Sequence, residues 1–422
     1  MPGQAPLVTD AGVCALILAG GLSSRMAPRF KPLLPLGGLT PLARLAATFR
    51  AAGITDITVV VGHRAEEAAA AAARLGLFTV YNPRFKTGMY SSIKAGLAVL
   101  PPGTKRFFLT PVDVPLFRPA TVRRLLERSA CPDAAPAIFP TFQGERGHPP
   151  LLSTEIVPVA MDYDGERGLR CALEQFAFEE IAVPDACILR DMDTPEDYAA
   201  LDVLAGRLDI PTPDEANALL AVEKVSEGGL AHARAVADVG LALGRGLTAA
   251  GLALDIELIE SAALLHDVAK PCPDHEVAGG RLLASLGFDR AAAIVAAHRD
   301  IDLPADAPLR EREIVFLADK FVFGHWLVPV ISRFQQKLDL YATDPEAVAA
   351  ITGRRDNALR ILARVEDRLG AKAERVIDAA GFRPGPPPAA AYEAAKQRFR
   401  NRGPKPGRTV PLPDSRQTAL EG

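Results

Sequence analysis

"CALILAGGLSSRM", residues 14 to 26, is the stretch whose reading decides the fold. It opens as an apolar run suited to a buried strand, then turns abruptly into small residues and ends on Arg25 and Met26. A strand that stops in "AGGLSSRM" delivers a loop whose backbone N–H groups can converge on phosphate oxygens. Gly20 and Gly21 permit close approach and unusual dihedrals there. Arg25 and Lys31 supply the positive charge that a polyphosphate needs. The spelling is neither the dinucleotide GxGxxG nor the Walker GxxxxGK[ST], so both of those nucleotide loops are excluded. On its own, such a turn is as compatible with plain structure as with phosphate binding.

Outward from this loop, the first 200 residues alternate strand-like with helix-like segments. "ALIL", "ITVVVG", "FTVY", "RFFLT" and "PAIFP" are short apolar or β-branched runs bounded by glycine, proline or asparagine. Between them lie "PLARLAATFRAAG", "AEEAAAAAARLG", "SSIKAGLAVL" and "ATVRRLLERSA", with helical composition and spacing. The alternation predicts a Rossmann-like α/β domain over residues 12–205, a mostly parallel sheet with helices on both faces. Ligands in such a sheet bind beyond the carboxyl ends of the strands. "RLDIPTPDEANALL" then marks a seam near 206 to 214, with the prolines and polar residues of an inter-domain linker. Beyond it strand signals nearly vanish, and an all-α domain is expected over 214–370. "GFRPGPPPAAA" is a proline-rich spacer, and residues 383–422 read as a flexible tail, a linker or docking arm.

Composition agrees with two soluble domains. A chain of 422 residues exceeds what one core usually holds. Apolar residues make up 49% and charged residues 23%, as in ordinary globular proteins. The net charge of -3 gives no electrostatic case for nucleic acid or an acidic membrane as partner. Five scattered cysteines without a CxxC favour free thiols in a reducing compartment. The first residues lack the basic-then-apolar pattern of a signal peptide, and no apolar run approaches the roughly 20 residues that span a bilayer. The expected location is the cytoplasm.

The loop belongs to a longer pattern. "LILAGGLSSRM…FKPLLPLGG" is followed by "NPRFKTGMYSSIKAGL" (82–97), "PVDVPL" (111–116), "GERGHPPLLS" (144–153) and "DMDTPEDY" (191–198). In that order, over roughly residues 13 to 200, these resemble the NTP transferases that attach a nucleotide to molybdopterin. The resemblance implies nucleotidyl transfer, with Leu18, Ala19, Gly20, Gly21, Arg25, Lys31, Gly88 and Asp113 at the nucleotide. It makes Arg25, Lys31 and Asp113 the catalytic residues. One departure stands out. In the family a glycine usually follows the methionine, with the lysine four residues after it; here Met26 is followed by "APRF" and Lys31 lies five residues on.

The chemistry asks for such residues independently. Nucleotidyl transfer is an in-line displacement at the α-phosphorus with pyrophosphate leaving, and its cost is charge. Mg²⁺ prefers one or two carboxylates plus substrate phosphates. Asp113 follows the strand "RFFLT", where such a ligand belongs, and Asp193 follows the strand-like "CILRD" and is the second candidate. Each also has a structural reading. Asp113 suits a turn or helix cap before "VPLFRP". "DTPED" is a good helix start, with Asp193 or Thr194 as cap and Pro195 in the first turn. His148 in "RGHPP" is expected to position its loop. An acceptor phosphate, already ionised, needs no general base. Within the family "LAGG" goes with guanylyl enzymes, whereas "GERGHPPLLS" and "DMDTPEDY" look like the cytidylyl branch. The reading favours CTP over GTP and molybdopterin as acceptor, with a sugar or alcohol phosphate as the alternative. A recipient molybdoenzyme or its chaperone is the protein partner implied.

A second stretch, "AALLHDVAK" (262–270), ends an apolar helical run on His266 and Asp267. Five of the seven histidines lie between 232 and 325. Taken singly, each is as well read as a packed or surface histidine, and the His-Asp pair as a helix end. The ordered set His232, His266–Asp267 and Asp319 resembles the HD superfamily of helical metal-dependent phosphohydrolases, over roughly residues 228 to 335. His275 and His298 match the extra histidines of dinuclear members, although Arg299 stands where those often carry another. Lys270 matches the catalytic cation that follows the His-Asp pair by three residues. One or two divalent transition metals are therefore expected, among Mn, Fe, Zn, Co and Ni. An ion so held acidifies water for attack on a phosphate ester. His325, beside Trp326, falls outside the pattern and reads as structural. The competing readings make the helical domain a regulatory metal or ligand module, or a dimerisation scaffold.

Overall fold

A computed structural model of the chain describes residues 12–382, except 27, 302 and 305, together with Gln397. Gln397 apart, the expected tail at 383–422 lies outside the described residues.

The α/β part is built on strands β1 (Val13–Ala19), β2 (Ile57–Val61), β3 (Phe78–Tyr81), β4 (Arg106–Pro111), β5 (Ala137–Phe142), β6 (Glu145–Arg146), β7 (Leu151–Ser153) and β8 (Phe178–Ala182). Every residue of β1 and β2 is buried, as continuous apolar runs require when both faces of a sheet are covered. Within the described residues the order is β3-β2-β1-β4-β7-β5-β6, with β8 on the other side of β5. The first four strands and the β5–β8 pair are parallel, whereas β7 and β6 run antiparallel to their neighbours. The sheet is thus mostly parallel, with a mixed edge that the sequence pattern does not announce: β6 and β7 span only two and three residues.

Helices α1 (Pro41–Ala51), α2 (Ala65–Arg74), α3 (Met89–Leu97), α4 (Pro119–Ser129), α5 (Val157–Asp162), α6 (Leu169–Leu173) and α7 (Pro195–Ala205) accompany the sheet. Leu42, Leu45 and Phe49 of α1, Ala68 and Ala72 of α2, and Val122 and Leu125 of α4 pack on one face. Ile93 and Leu97 of α3, Ala160 of α5 and Leu173 of α6 pack on the other. "CILRD" reads as a strand but forms a tight turn at Ala186–Leu189. The Asp185 carboxylate accepts from Cys187 N at 3.1 Å and bends the chain before a ladder can form.

The helical part comprises α8 (Pro213–Val222), α9 (Glu227–Ala249), α10 (Ile256–Leu265), α11 (His275–Ser285), α12 (Asp289–Ala297), α13 (Glu311–Phe321), α14 (Val330–Leu340), α15 (Pro345–Leu369) and α16 (Ala373–Ala379). A two-stranded hairpin, β9 (Val322–Phe323) and β10 (Trp326–Leu327), follows α13. Long helix α9 runs through the core. A Cβ at Gly240 would meet Ile259 at 3.1 Å, and one at Gly244 would meet it at 2.9 Å, so these two glycines let α10 approach closely. Among the described residues, no helix is long and apolar enough to cross a membrane.

The seam is anchored on both sides. Arg207 binds Asp255 at 2.8 Å and Glu257 at 2.9 Å, and Ser261 Oγ donates to Pro211 O at 2.6 Å. Buried Arg118, at the start of α4, donates to Leu208 O at 2.7 Å and to Glu215 of α8 at 3.2 Å. Its guanidinium lies 4.3 Å from the centre of the Phe288 ring. Removing one partner of a buried pair leaves the other charge uncompensated. Glu215→Gln is therefore expected to lower stability by about 3 kcal/mol. Urea unfolding of the full chain checks this, and an unchanged midpoint would show that Arg118 does not depend on that charge.

Candidate functional site

Parallel strands β1 and β4 lie side by side, with Leu18 opposite Pro111, so Gly20 and Asp113 leave the same edge of the sheet. Leu18 and Ala19 are buried strand residues; their side chains serve the core, and Leu18 O accepts from Val112 N at 3.0 Å. Gly20 is required by close approach: a Cβ there would meet Ser92 Oγ at 3.1 Å and Gly62 N at 3.4 Å. Ser92 in turn accepts from Asn82, at 3.0 Å, so "NPRFKTGMYSS" braces the loop from behind. A Cβ at Gly21 or Gly88 would meet nothing within 4 Å, and Gly88 opens α3 with φ +112°. The unusual dihedral expected at the paired glycines falls instead on Ser23, with φ 52°, which turns the chain into the single turn Ser24–Met26.

Met26 and Phe30 bury their side chains and pin the loop at two points. Between them Arg29 N donates to Met26 O at 2.8 Å. Lys31 then reaches inward: its Nζ lies 2.6 Å from Asp193 and 3.3 Å from Asp113. Exposed Arg25 contacts Asp193 from the solvent side at 2.9 Å. Asp193 is free to do this because Thr194 is the cap of α7. Its hydroxyl accepts from Asp197 N at 3.2 Å, and the Asp197 carboxylate accepts from Thr194 N at 2.8 Å. Met192 N donates to Asp113 O at 2.9 Å and sets the two carboxylates side by side. Asp191 also faces this group, and burial with the charges of Asp193 and Asp113 pushes its carboxyl up. Two carboxylates sharing one cation fit a divalent ion with its phosphates, and Asp113 and Asp193 are the residues that would hold it. His148 lies nearby with its Nδ1 buried and unpartnered. Burial pushes its imidazole down, and its backbone N donates to Ile188 O at 2.9 Å.

The helical part draws its polar residues to one point. His232 lies in α9, His266 and Asp267 just after α10, His275 at the first position of α11, His298 just after α12, and Asp319 in α13. Asp267 is shared. One oxygen lies 3.2 Å from His266 Nε2 and 3.5 Å from His232 Nε2; the other lies 3.2 Å from His275 Nε2 and 3.6 Å from His298 Nε2. Asp319 lies 3.4 Å from His232 Nε2 and 3.7 Å from His266 Nε2. Two trios result, His232–His266–Asp267 and Asp267–His275–His298, with ligand atoms inside each within 4.8 Å of one another. Three imidazoles are oriented from behind: Nδ1 of His232, His266 and His298 lies 2.7 Å from the carbonyls of Gly324, Ala263 and Val295. Such backing bonds fix the tautomer and turn Nε2 toward a metal.

The electrostatics suit a cation. Burial raises the Asp267 carboxyl, but the charge of His266 and hydrogen bonds from His266, His275 and His298 outweigh it and hold it far below the usual range. Asp319 is likewise held low against burial, chiefly by Lys320. Burial pushes His266 down, toward the neutral form that a metal ligand needs. Lys270 pairs with Asp267 from the solvent side. Two residues here, Lys320 and Glu276, are absent from the sequence reading. Lys320 binds Asp319 at 2.6 Å; Glu276 lies 3.5 Å from His275 and pairs with Arg299 at 3.0 Å. Both Lys320 and Glu276 sit next to a named ligand in sequence, which is the signal that could have found them. His325 stacks on Trp326, with ring centres 3.8 Å apart, and belongs to neither trio.

The profile of the MobA-like NTP transferase domain matches residues 15–181. The molybdenum cofactor cytidylyltransferase of Escherichia coli is 30% identical over 187 residues, covering 43% of this chain and 92% of that protein. The chain belongs to the MobA-like NTP transferase family. Residues 229–323 match the HD domain, so this family member carries a second, helical module. The bifunctional IPC transferase and DIPP synthase of Rubrobacter xylanophilus is 42% identical over 120 residues, and the match spans 27% of each protein, about a quarter of that relative. The crystal structure of Rv0371c from Mycobacterium tuberculosis H37Rv aligns with a TM-score of 0.41 at 27% identity, over 46% of this chain and 98% of that one.

Because Asp267 is common to both trios, Asp267→Asn is expected to empty the helical centre of transition metal. His275→Ala should remove no more than one ion per chain. Elemental analysis of the purified full-length variants reads both, and full metal content in the Asp267 variant would contradict the shared-ligand geometry.

Proposed function

We propose that the chain is a bifunctional enzyme of two domains, 12–205 and 214–370, each with its own chemistry. The first transfers a nucleotidyl group from an NTP, CTP in preference to GTP, to a phosphorylated acceptor, molybdopterin first among candidates, and releases pyrophosphate. The observation that carries this reading is Lys31, held between Asp113 and Asp193 at the mouth of the loop. Backbone N–H groups around Gly20 and Gly21 bind the triphosphate, and Arg25 and Lys31 meet charge that grows on the leaving phosphates. Asp113 and Asp193 would hold Mg²⁺, which neutralises phosphate charge when bound. His148, kept neutral, orients its loop rather than moving a proton. The cytidylyltransferase named above supports CTP.

The helical domain we read as a phosphohydrolase. His232, His266, Asp267, His275, His298 and Asp319 would hold one or two transition-metal ions, which supply Lewis acidity toward water and a phosphate oxygen. Lys270, exposed beside Asp267, is placed to meet an incoming phosphate. A second reading keeps the transferase but gives it a sugar or alcohol phosphate, with the helical domain sensing a ligand. The 42% identical stretch of the bifunctional IPC transferase and DIPP synthase favours keeping an acceptor other than molybdopterin open, and bears only on the transferase.

Asp113→Ala should abolish transfer of labelled CMP or GMP to the acceptor while leaving the fold intact, since the residue lies past the end of β4. Arg25→Ala should slow it about 10- to 100-fold, the size of a charged hydrogen bond. Full activity in the Asp113 variant would defeat the assignment. Replacing His266 and Asp267 together by Ala should leave the CMP transfer rate nearly unchanged. If that folded variant loses transfer, the helical domain is part of the transferase site and the regulatory reading replaces the bifunctional one.

A further inference from the structure

One group of charges belongs to neither set of ligands. Arg333 and Lys337 stand four residues apart on α14 and so share one face of the helix. The Arg333 guanidinium lies 5.3 Å from the centre of the Phe323 ring, in the hairpin whose Gly324 carbonyl backs His232. Its Nε is buried without a hydrogen-bond partner. Lys337 Nζ has no hydrogen-bond or ion-pair partner among the described residues. Lys320, next along, is already held by Asp319 at 2.6 Å and by the His298 carbonyl at 3.4 Å.

These cations act on one another and on the metal centre. Burial, then the charges of Arg333 and Lys320, pull the Lys337 ammonium down to about 7, with Asp319 opposing and Arg354 of α15 adding to the pull. Arg333 also lowers the Asp319 carboxyl. Donor atoms such as Arg333 Nε, buried without a hydrogen-bond partner, are costly to keep when no acceptor joins them. The HD match ends at residue 323, so α14 and α15 lie beyond the matched stretch.

We propose that Arg333 and Lys337, with Arg354 behind them, form an anion subsite beside the helical metal centre, and that the molecule hydrolysed there carries a second phosphate. The inference rests on the phosphohydrolase reading and narrows it: the substrate class is a bisphosphate, a diphosphate or a nucleotide, rather than a simple monoester. A planar guanidinium and an ammonium together match the spread oxygens of a phosphate better than a single carboxylate. In the reaction water adds to the phosphorus of the bound ester, the P–O bond to the alcohol breaks, and the alcohol oxygen takes a proton from water. The second phosphate stays on its cations throughout.

The test uses the manganese-loaded full chain, with methylenediphosphonate and inorganic phosphate as probes. Trp326, the one tryptophan of the chain, lies in the hairpin that pairs with Phe323 and reports binding at this centre by its fluorescence. Wild type should bind the diphosphonate at least about 10-fold more tightly than phosphate, the size of one charged hydrogen bond. The R333Q/K337Q variant should lose that preference at unchanged manganese content. Any diphosphonate held at the transferase loop is common to both proteins and cancels in the comparison, which calorimetry repeats independently of fluorescence. If the double variant does not fold, Lys337→Met carries the test. It should weaken diphosphonate binding and raise Tm by about 2 °C, since it removes an unpaired, partly covered charge. Equal affinities for the two probes in wild type, a preference that survives in the variants, or a fall in Tm for Lys337→Met overturns the subsite. A wild-type chain that holds no transition metal overturns the phosphohydrolase reading instead.

Discussion

Arg118 holds three separate segments of chain at one buried point. Its backbone N donates to Asp185 at 2.7 Å, and its guanidinium donates to Leu208 O at 2.7 Å and to Glu215 at 3.2 Å. A guanidinium taken out of water needs such partners, because hydrogen bonds and opposite charge repay its desolvation; its Nε, without a hydrogen bond, lies 4.0 Å from the Asp185 carboxylate. Asp185 begins the segment that leads to Asp193, Leu208 lies in the seam, and Glu215 belongs to the first helix beyond it. The cation thereby fixes the path of the chain out of the sheet and the seat of the helical part.

The two centres solve opposite charge problems. At the nucleotide loop the carboxylates of Asp113 and Asp193 remain partly open to water, and two side-chain cations balance them. That arrangement suits a hard ion that arrives with its phosphates and leaves with them. At the helical centre five imidazole and carboxylate groups converge around a buried His266, and each histidine of the first trio is oriented from behind by a carbonyl. Imidazole and carboxylate groups ordered in this way suit a borderline metal.

Much of this is legible in the sequence, for identifiable reasons. Strands buried on both faces announce themselves as unbroken apolar runs, as β1, β2 and β4 do. The histidines that converge on Asp267 are legible because their type is rare and their order resembles that of the HD superfamily. The mixed edge of the sheet is not: β6 and β7 are too short to carry a period, and β8 alternates "FEEIA" only weakly. "CILRD" misleads because its apolar residues are buried by a turn that Asp185 caps, not by a ladder. The backing carbonyls of Ala263, Val295 and Gly324 leave no trace at all, since any residue supplies one. Nor does the seam disclose its anchoring, because Arg118, Glu215 and Asp255 are far apart in sequence and ordinary in type.

The segment from Asp185 to Asp193 shows how one fold element serves both parts. It is clamped at its start by Arg118, and in its middle Ile188 O accepts from His148 N at 2.9 Å. Near its end Met192 N donates to Asp113 O at 2.9 Å, and the next residue, Asp193, meets Lys31. Each step in this path is short: a capped turn, two backbone bonds and a capped helix start follow one another over ten residues, 185 to 194. The carboxylate that faces the nucleotide loop is therefore placed by the same chain that Arg118 ties to Glu215 of the helical part. Packing at α8 and geometry at Asp193 share one support, even though the two clusters of ligands have no residue in common.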